Sequence, residues 1–166
     1  RITYIRQTEN IEPRVSIDIA FNQCKGDYIC FLDDDDEYLR DKIFKQVEGF
    51  RNLSNEYGLI YCWAEYIDDR DNSIIRIIDS TLRGNIFLYQ IERQAIGGTP
   101  CIMIRRDIYK EFDGWNKKLN YIADWEFITR ISRKYKVEVI PQILVKVHIN
   151  HPYERQSKAQ SELNEM

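Results

Sequence analysis

The chain has 166 residues, 43% of them hydrophobic and 31% charged, with a formal net charge of −3. That length and apolar content suffice for one substantial core, so a single domain is expected. The negative balance offers no general attraction for nucleic acid, no apolar run approaches the roughly 20 residues that span a bilayer, and no signal-peptide pattern opens the chain.

Ile2 to Ile5 read as a short strand, followed by a polar loop. Pro13 suits the first turn of a helix, and Ile17, Ala20, Phe21 and Cys24 recur along one helical face, with Gly26 as the stop. Tyr28 to Leu32 follow at once as a wholly apolar strand, so strand, helix and strand make a βαβ-like unit. Ile43, Val47, Phe50 and Leu53 predict a helix from about Leu39 to Tyr57, ended by Gly58. Leu59 to Ile67 and Ile74 to Ile78, joined by a turn-rich connection, predict a hairpin. Asn85 can cap a short helix through Arg93.

The segment Ile96-Gly97-Gly98-Thr99-Pro100 leads into another apolar strand, Cys101 to Ile104. Its glycines either admit a ligand close to the backbone or form a plain loop. Asp107 to Phe112 reads as a helical turn. A helix then begins near Asp124 and ends in Arg130, Arg133 and Lys134, a polarity that complements the helix dipole. Val137 to Ile140 and Ile143 to Ile149 predict two strands split by Pro141. Residues 154 to 166 form a polar tail beyond a domain of residues 1 to 153. Cys24, Cys30, Cys62 and Cys101 contain no CxxC pair, so buried free thiols in a reducing compartment are expected before zinc or disulfides. That places the protein in the cytoplasm.

One stretch organises the rest: YICFLDDDDEY, residues 28 to 38, in which a buried strand stops in four consecutive aspartates. A charge run after a strand is usually a solvated loop. Here, however, the acids follow the strand without a spacer, and Asp33 to Asp36 repel one another unless a cation or donor-rich ligand neutralises them. In open α/β sheets the carboxyl ends of the strands are where ligands bind, and clustered carboxylates suit a hard divalent cation. An EF-hand is excluded because Tyr38 and Phe44 stand where its Gly and Glu are required. A P-loop NTPase is excluded because no GxxxxGK[ST] occurs.

The segments KGDYICFLDDDDEYLRDKIFKQV and FDGWNKKLNYIADWEFITRIS resemble two blocks of the family 2 glycosyltransferases. The resemblance implies a GT-A fold, an α/β architecture with a mixed, mainly parallel sheet flanked by helices. It makes Asp33, Asp34 and Asp35 donor-binding residues of an Asp-x-Asp motif, with Asp35 on Mn²⁺ or Mg²⁺. Asp124 becomes the general base, although a helix N-cap is its ordinary reading. His148 or His151 completes the metal site, and Gly98, Thr99 and Trp125 face the acceptor. The implied activity is metal-dependent, inverting transfer from a nucleotide sugar, taken as UDP-linked, to a glycan or lipid-linked acceptor in bacterial polysaccharide biosynthesis. Peripheral membrane contact and homo-oligomer formation stay open. The sequence departs from the family pattern at Ala123, where an acid is usual, and at Ile17 and Asp18, where an Arg-Asn pair is usual. The family's first strand and its base-recognising segments fall before Arg1. A non-catalytic binding or assembly module of the same fold is the competing expectation.

Overall fold

The computed structural model describes residues 2–9, 11–119 and 122–150. Strands β1 (Tyr28–Cys30), β2 (Glu37–Tyr38), β3 (Tyr57–Asp68), β4 (Ser73–Ile78), β5 (Ile102–Arg105) and β6 (Lys136–Ile149) form one sheet in the order β1-β5-β3-β6-β2, with β4 also paired to β3. Helices α1 (Pro13–Gln23), α2 (Lys42–Arg51), α3 (Phe87–Glu92), α4 (Arg106–Glu111) and α5 (Ala123–Lys134) accompany it.

The apolar runs become strands because the sheet is covered on both faces, which selects near-continuous hydrophobic sequence. Successive side chains of a strand point to opposite faces, and the core divides accordingly. Ile29, Leu59, Tyr61, Ile102 and Ile104 join Tyr109, Trp115, Phe127, Ile128 and Ile131 of the α4–α5 side. Ile60 and Met103 pack with Phe50 on the α2 side. Two glycines permit close approaches. A Cβ on Gly58 would meet the Tyr135 side chain and Ile108 at 2.8 Å, and Gly114, at φ +63°, packs against the Tyr109 hydroxyl.

The sheet is mixed, as expected, but parallel pairing does not predominate. Among the described strands only β3 and β6 run parallel, and the other four ladders are antiparallel. The expected βαβ unit is not formed either: residues 2 to 5 are exposed and join no strand, so α1 connects to β1 alone.

Two other expectations are corrected. The helix predicted over 39–57 is shorter, because Glu37 and Tyr38 pair with Lys146 and Val145, and Leu39 N–H donates to Leu144 C=O at 2.9 Å. Its buried face is Lys42, Gln46 and Phe50, whereas Ile43 is exposed. Hydrogen bonding explains the rotation. Lys42 Nζ donates to Gln46 Oε1 at 2.8 Å and lies 4.0 Å from the centre of the Tyr38 ring, while Gln46 Nε2 donates to Cys101 C=O at 2.8 Å. Pro141 does not split β6. The β3 register passes from Cys62 opposite Ile140 to Trp63 opposite Ile143, so exposed Pro141 and Gln142 bulge outward and need no ladder bond. The hairpin, the short helix after Asn85 and the helix beginning at Ala123 form as expected. The polar tail lies outside the described residues.

Candidate active site

The four aspartates leave β1 at its carboxyl end. Phe31 is still buried, and Leu32 is half exposed. The loop is then closed by Asp36 N–H donating to Asp33 C=O at 3.2 Å. A turn of this kind brings its first and fourth residues together. Carboxylate oxygens of Asp33, Asp35 and Asp36 accordingly lie within 4.8 Å of one another. Asp34 is not part of that group and is exposed. The Tyr38 hydroxyl donates to Phe31 C=O at the base of the loop, and burial holds that phenol well above its ordinary pKa, so it remains a donor.

The family resemblance implied Asp33, Asp34 and Asp35 and left Asp36 unassigned. The missing signal was the turn, together with a contact from the far end of the chain: His148 N–H donates to Asp36 Oδ1 at 3.1 Å. His148 reaches this place because β6 runs parallel beside β3, with His148 opposite Ile67. Its ring Nδ1 is 2.6 Å from Asp69 Oδ1, and Nε2 is 3.4 Å from Glu37 Oε1. Asp69 belongs to a turn fixed by its neighbour. Asp68, buried, binds Arg70 through both carboxylate oxygens and accepts from Asn150 Nδ2 at 2.9 Å, contacts that hold its carboxyl well below the usual range. His151 lies outside the described residues.

The glycine segment enters from the neighbouring strand. β1 and β5 are antiparallel with Cys30 opposite Met103, so Gly98 and Thr99, entering β5, and the acids, leaving β1, emerge at the same sheet edge. Thr99 opens one turn of 3₁₀ helix, Thr99–Cys101. A Cβ on Gly98 would lie 3.0 Å from Asp124 Oδ2. Asp124 is not the N-cap of α5: that position is Ile122, at φ 54°. Instead Asp124 Oδ1 accepts from Trp125 N–H at 2.8 Å, and Oδ2 accepts from Gln94 Nε2 at 3.0 Å. The Trp125 indole N–H donates to Gln90 C=O, tying α5 to α3. Gln94 was not foreseen, and no periodic pattern marks it. Asp18, which stands in the place of the usual Asn, accepts the Tyr109 hydroxyl at 3.0 Å and pairs with Lys117 at 2.7 Å.

The model for glycosyl transferase family 2 matches residues 1–113. The chain belongs to glycosyl transferase family 2. Curated relatives include an uncharacterized glycosyltransferase of Methanocaldococcus jannaschii, 26% identical over 150 residues, covering 90% of this chain and 51% of that protein. Another, from Rickettsia typhi, is 23% identical over 154 residues and covers 90% and 48%. The chain thus spans about half the length of these curated relatives. Among solved structures, the mannosyltransferase PcManGT of Pyrobaculum calidifontis, in complex with GDP-Man and Mn²⁺, superposes with a TM-score of 0.61 at 14% identity, covering 98% of this chain and 43% of that one. S. aureus TarS 1-349 in complex with UDP gives 0.59 at 11% identity, covering 82% and 40%. These likenesses carry the GT-A fold. No helix among the described residues is long and apolar enough to cross a membrane, and all four cysteines are free thiols.

Proposed function

We propose that this chain carries the donor-diphosphate and proton-transfer part of a metal-dependent, inverting glycosyltransferase that uses a nucleotide sugar. The observation that carries the reading is the Asp33–Asp35–Asp36 group, three hard oxygen donors within 4.8 Å at the carboxyl edge of the sheet. The donor set suits Mn²⁺ or Mg²⁺, with His148 behind Asp36 as a support or a further ligand. A bound cation would neutralise charge on the departing nucleoside diphosphate. The neighbours solved with UDP and with GDP-Man and Mn²⁺ favour this class of donor, and UDP is the first nucleotide to try.

Asp124 is the base in this reading. Its Oδ2 accepts the proton of the acceptor hydroxyl as that oxygen bonds to the anomeric carbon and the bond from that carbon to the diphosphate breaks, inverting the centre. Gly98 leaves the carboxylate room, Thr99 and Trp125 line the acceptor side, and the acceptor is a glycan or a lipid-linked sugar. The free thiols favour a cytoplasmic setting.

The test is a thermal-shift panel of UDP, GDP, CDP and dTDP, each with and without Mn²⁺, joined to transfer assays of Asp124→Asn in the full-length protein. One nucleotide stabilising only with metal, and loss of transfer in Asp124→Asn, is the expected result. Transfer at the parent rate by Asp124→Asn removes Asp124 as the base.

A further inference from the structure

A second concave site lies at the other end of the sheet. It is a cleft of about 600 Å³ whose wall carries four cations, Lys25, Arg105, Arg106 and Lys110, with two acids, Asp27 and Asp107. The fold assembles it from two distant segments. Tyr28 pairs with Arg105 across the β1–β5 ladder, and Arg106 N–H donates to Asp27 C=O at 2.9 Å. The residues preceding β1 therefore meet the end of β5 and the start of α4. Tyr28 lines the cleft and Asp33 follows β1 at its other end, so the two places lie on either side of that strand, at most about 18 Å apart for a fully extended chain.

None of the four cations joins an ion pair among the described residues, although both acids stand in the same wall. The two arginines are held by other means. Arg105 Nε donates to Tyr57 C=O at 3.0 Å, and its guanidinium lies 4.8 Å from the centre of the Phe50 ring. Arg106 lies 5.4 Å from the centre of the Phe21 ring. Ring faces and a backbone carbonyl hold the planar forks without neutralising them. A guanidinium fixed in this way loses less freedom on meeting an anion than one on a free side chain. Tyr28, Tyr135 and Ile108 supply apolar surface in the same cleft, which suits an organic group attached to the anion.

We propose that this cleft binds a phosphate-bearing ligand, either a soluble phosphate or diphosphate ester or the headgroup of an anionic phospholipid. Arginine pairs with phosphate through two parallel hydrogen bonds, and Lys25 and Lys110 add point charges at the rim. The site is independent of the transfer chemistry at Asp33–Asp36 and Asp124.

The test uses inorganic pyrophosphate as the soluble ligand, at constant ionic strength and with EDTA present, so that no divalent cation bridges it to the aspartates. Melting temperature is followed for the parent, Lys25→Gln/Lys110→Gln, Arg106→Gln and Asp33→Asn/Asp35→Asn. Pyrophosphate is expected to stabilise the parent and the aspartate variant alike, and to bind about tenfold more weakly to each cation variant. The double lysine variant keeps the test valid if Arg106→Gln folds poorly, because among the described residues neither lysine side chain has a hydrogen bond or ion pair to lose. Sedimentation with phosphatidylglycerol vesicles, against phosphatidylcholine alone, separates the two sources. Retention on the anionic vesicles that the cation variants lose, without a pyrophosphate shift, assigns the headgroup; a shift without retention assigns the soluble ligand. No response of the parent in either arm, a response that survives in both cation variants, or one lost in the aspartate variant overturns the proposal.

Discussion

The backbone N–H of His148 donates to Asp36 Oδ1 at 3.1 Å, a bond between residues 112 positions apart. It uses the main chain, so the side chain at position 148 can be changed while Asp36 keeps its anchor. Asp36→Asn is expected to weaken Mn²⁺ binding about tenfold or more, and His148→Ala by a smaller factor through loss of the imidazole beside Asp69 and Glu37. Asp34→Asn, outside the close group, is expected to leave it unchanged. Free Mn²⁺ measured by electron paramagnetic resonance checks all three, and equal losses for Asp34 and Asp36 contradict the geometry.

Gly98→Ala adds a Cβ that would stand 3.0 Å from Asp124 Oδ2. The carboxylate has to give by a few tenths of an ångström, and its bond from Gln94 shifts with it. Transfer by the full-length protein is expected to fall by about tenfold or more, since small misplacements of reacting groups are costly, with little change in melting temperature. An unchanged rate would mean that Asp124 is not held against the glycine during catalysis.

Lys42 is fully buried, and that burial lowers its pKa below the ordinary lysine value, only partly offset by Cys30, Cys62 and Cys101. A buried ammonium costs stability while it stays protonated. Below the folded-state pKa that cost is fully present; as pH rises through the folded value toward the unfolded one, the folded state releases the proton first and the cost is relieved. Stability of the parent relative to Lys42→Met is therefore expected to rise between neutral and alkaline pH, with a slope of at most about 1.4 kcal/mol per pH unit. Urea denaturation of both proteins at several pH values gives the difference, and a flat or falling one refutes the assignment.

Trp125 was read from the sequence as an acceptor-facing ring, yet its indole N–H is committed to Gln90 C=O. Trp125→Phe keeps an aromatic face and removes that donor. The expected effect is a loss of about 1 kcal/mol in folding stability, read by chemical denaturation, with α3 loosened from α5. A variant as stable as the parent, but with a raised acceptor KM in the full-length protein, would instead make stacking on the sugar the main role.

Local sequence determined the elements whose signals are local. The alternating and continuous apolar runs specified β3, β4 and β5. The hairpin turn lay in its polar connection, and the acid-first, base-last helix could be placed to within a residue of its start at Ala123. Together with the two resembling blocks, this was enough to reach the fold family and to name Asp33, Asp34, Asp35 and Asp124 as candidates. Where apolar periodicity misled, a polar group had found a partner far along the chain. Lys42 and Gln46 turned α2 inward because Tyr38 and the carbonyl of Cys101 awaited them, and no helical pattern encodes that.

Tertiary structure decided the rest, because it alone brings distant backbone into register. The parallel β3–β6 ladder carries His148 to Asp36, the β1–β5 ladder carries Gly98 to the edge where the aspartates emerge, and the same ladder's other end gathers four cations around one cleft. Residue type fixes what chemistry a carboxylate or guanidinium can perform, and that much is legible in one dimension. Which of them share a site depends on hydrogen-bonded register between strands separated by tens of residues, and only the folded chain sets it.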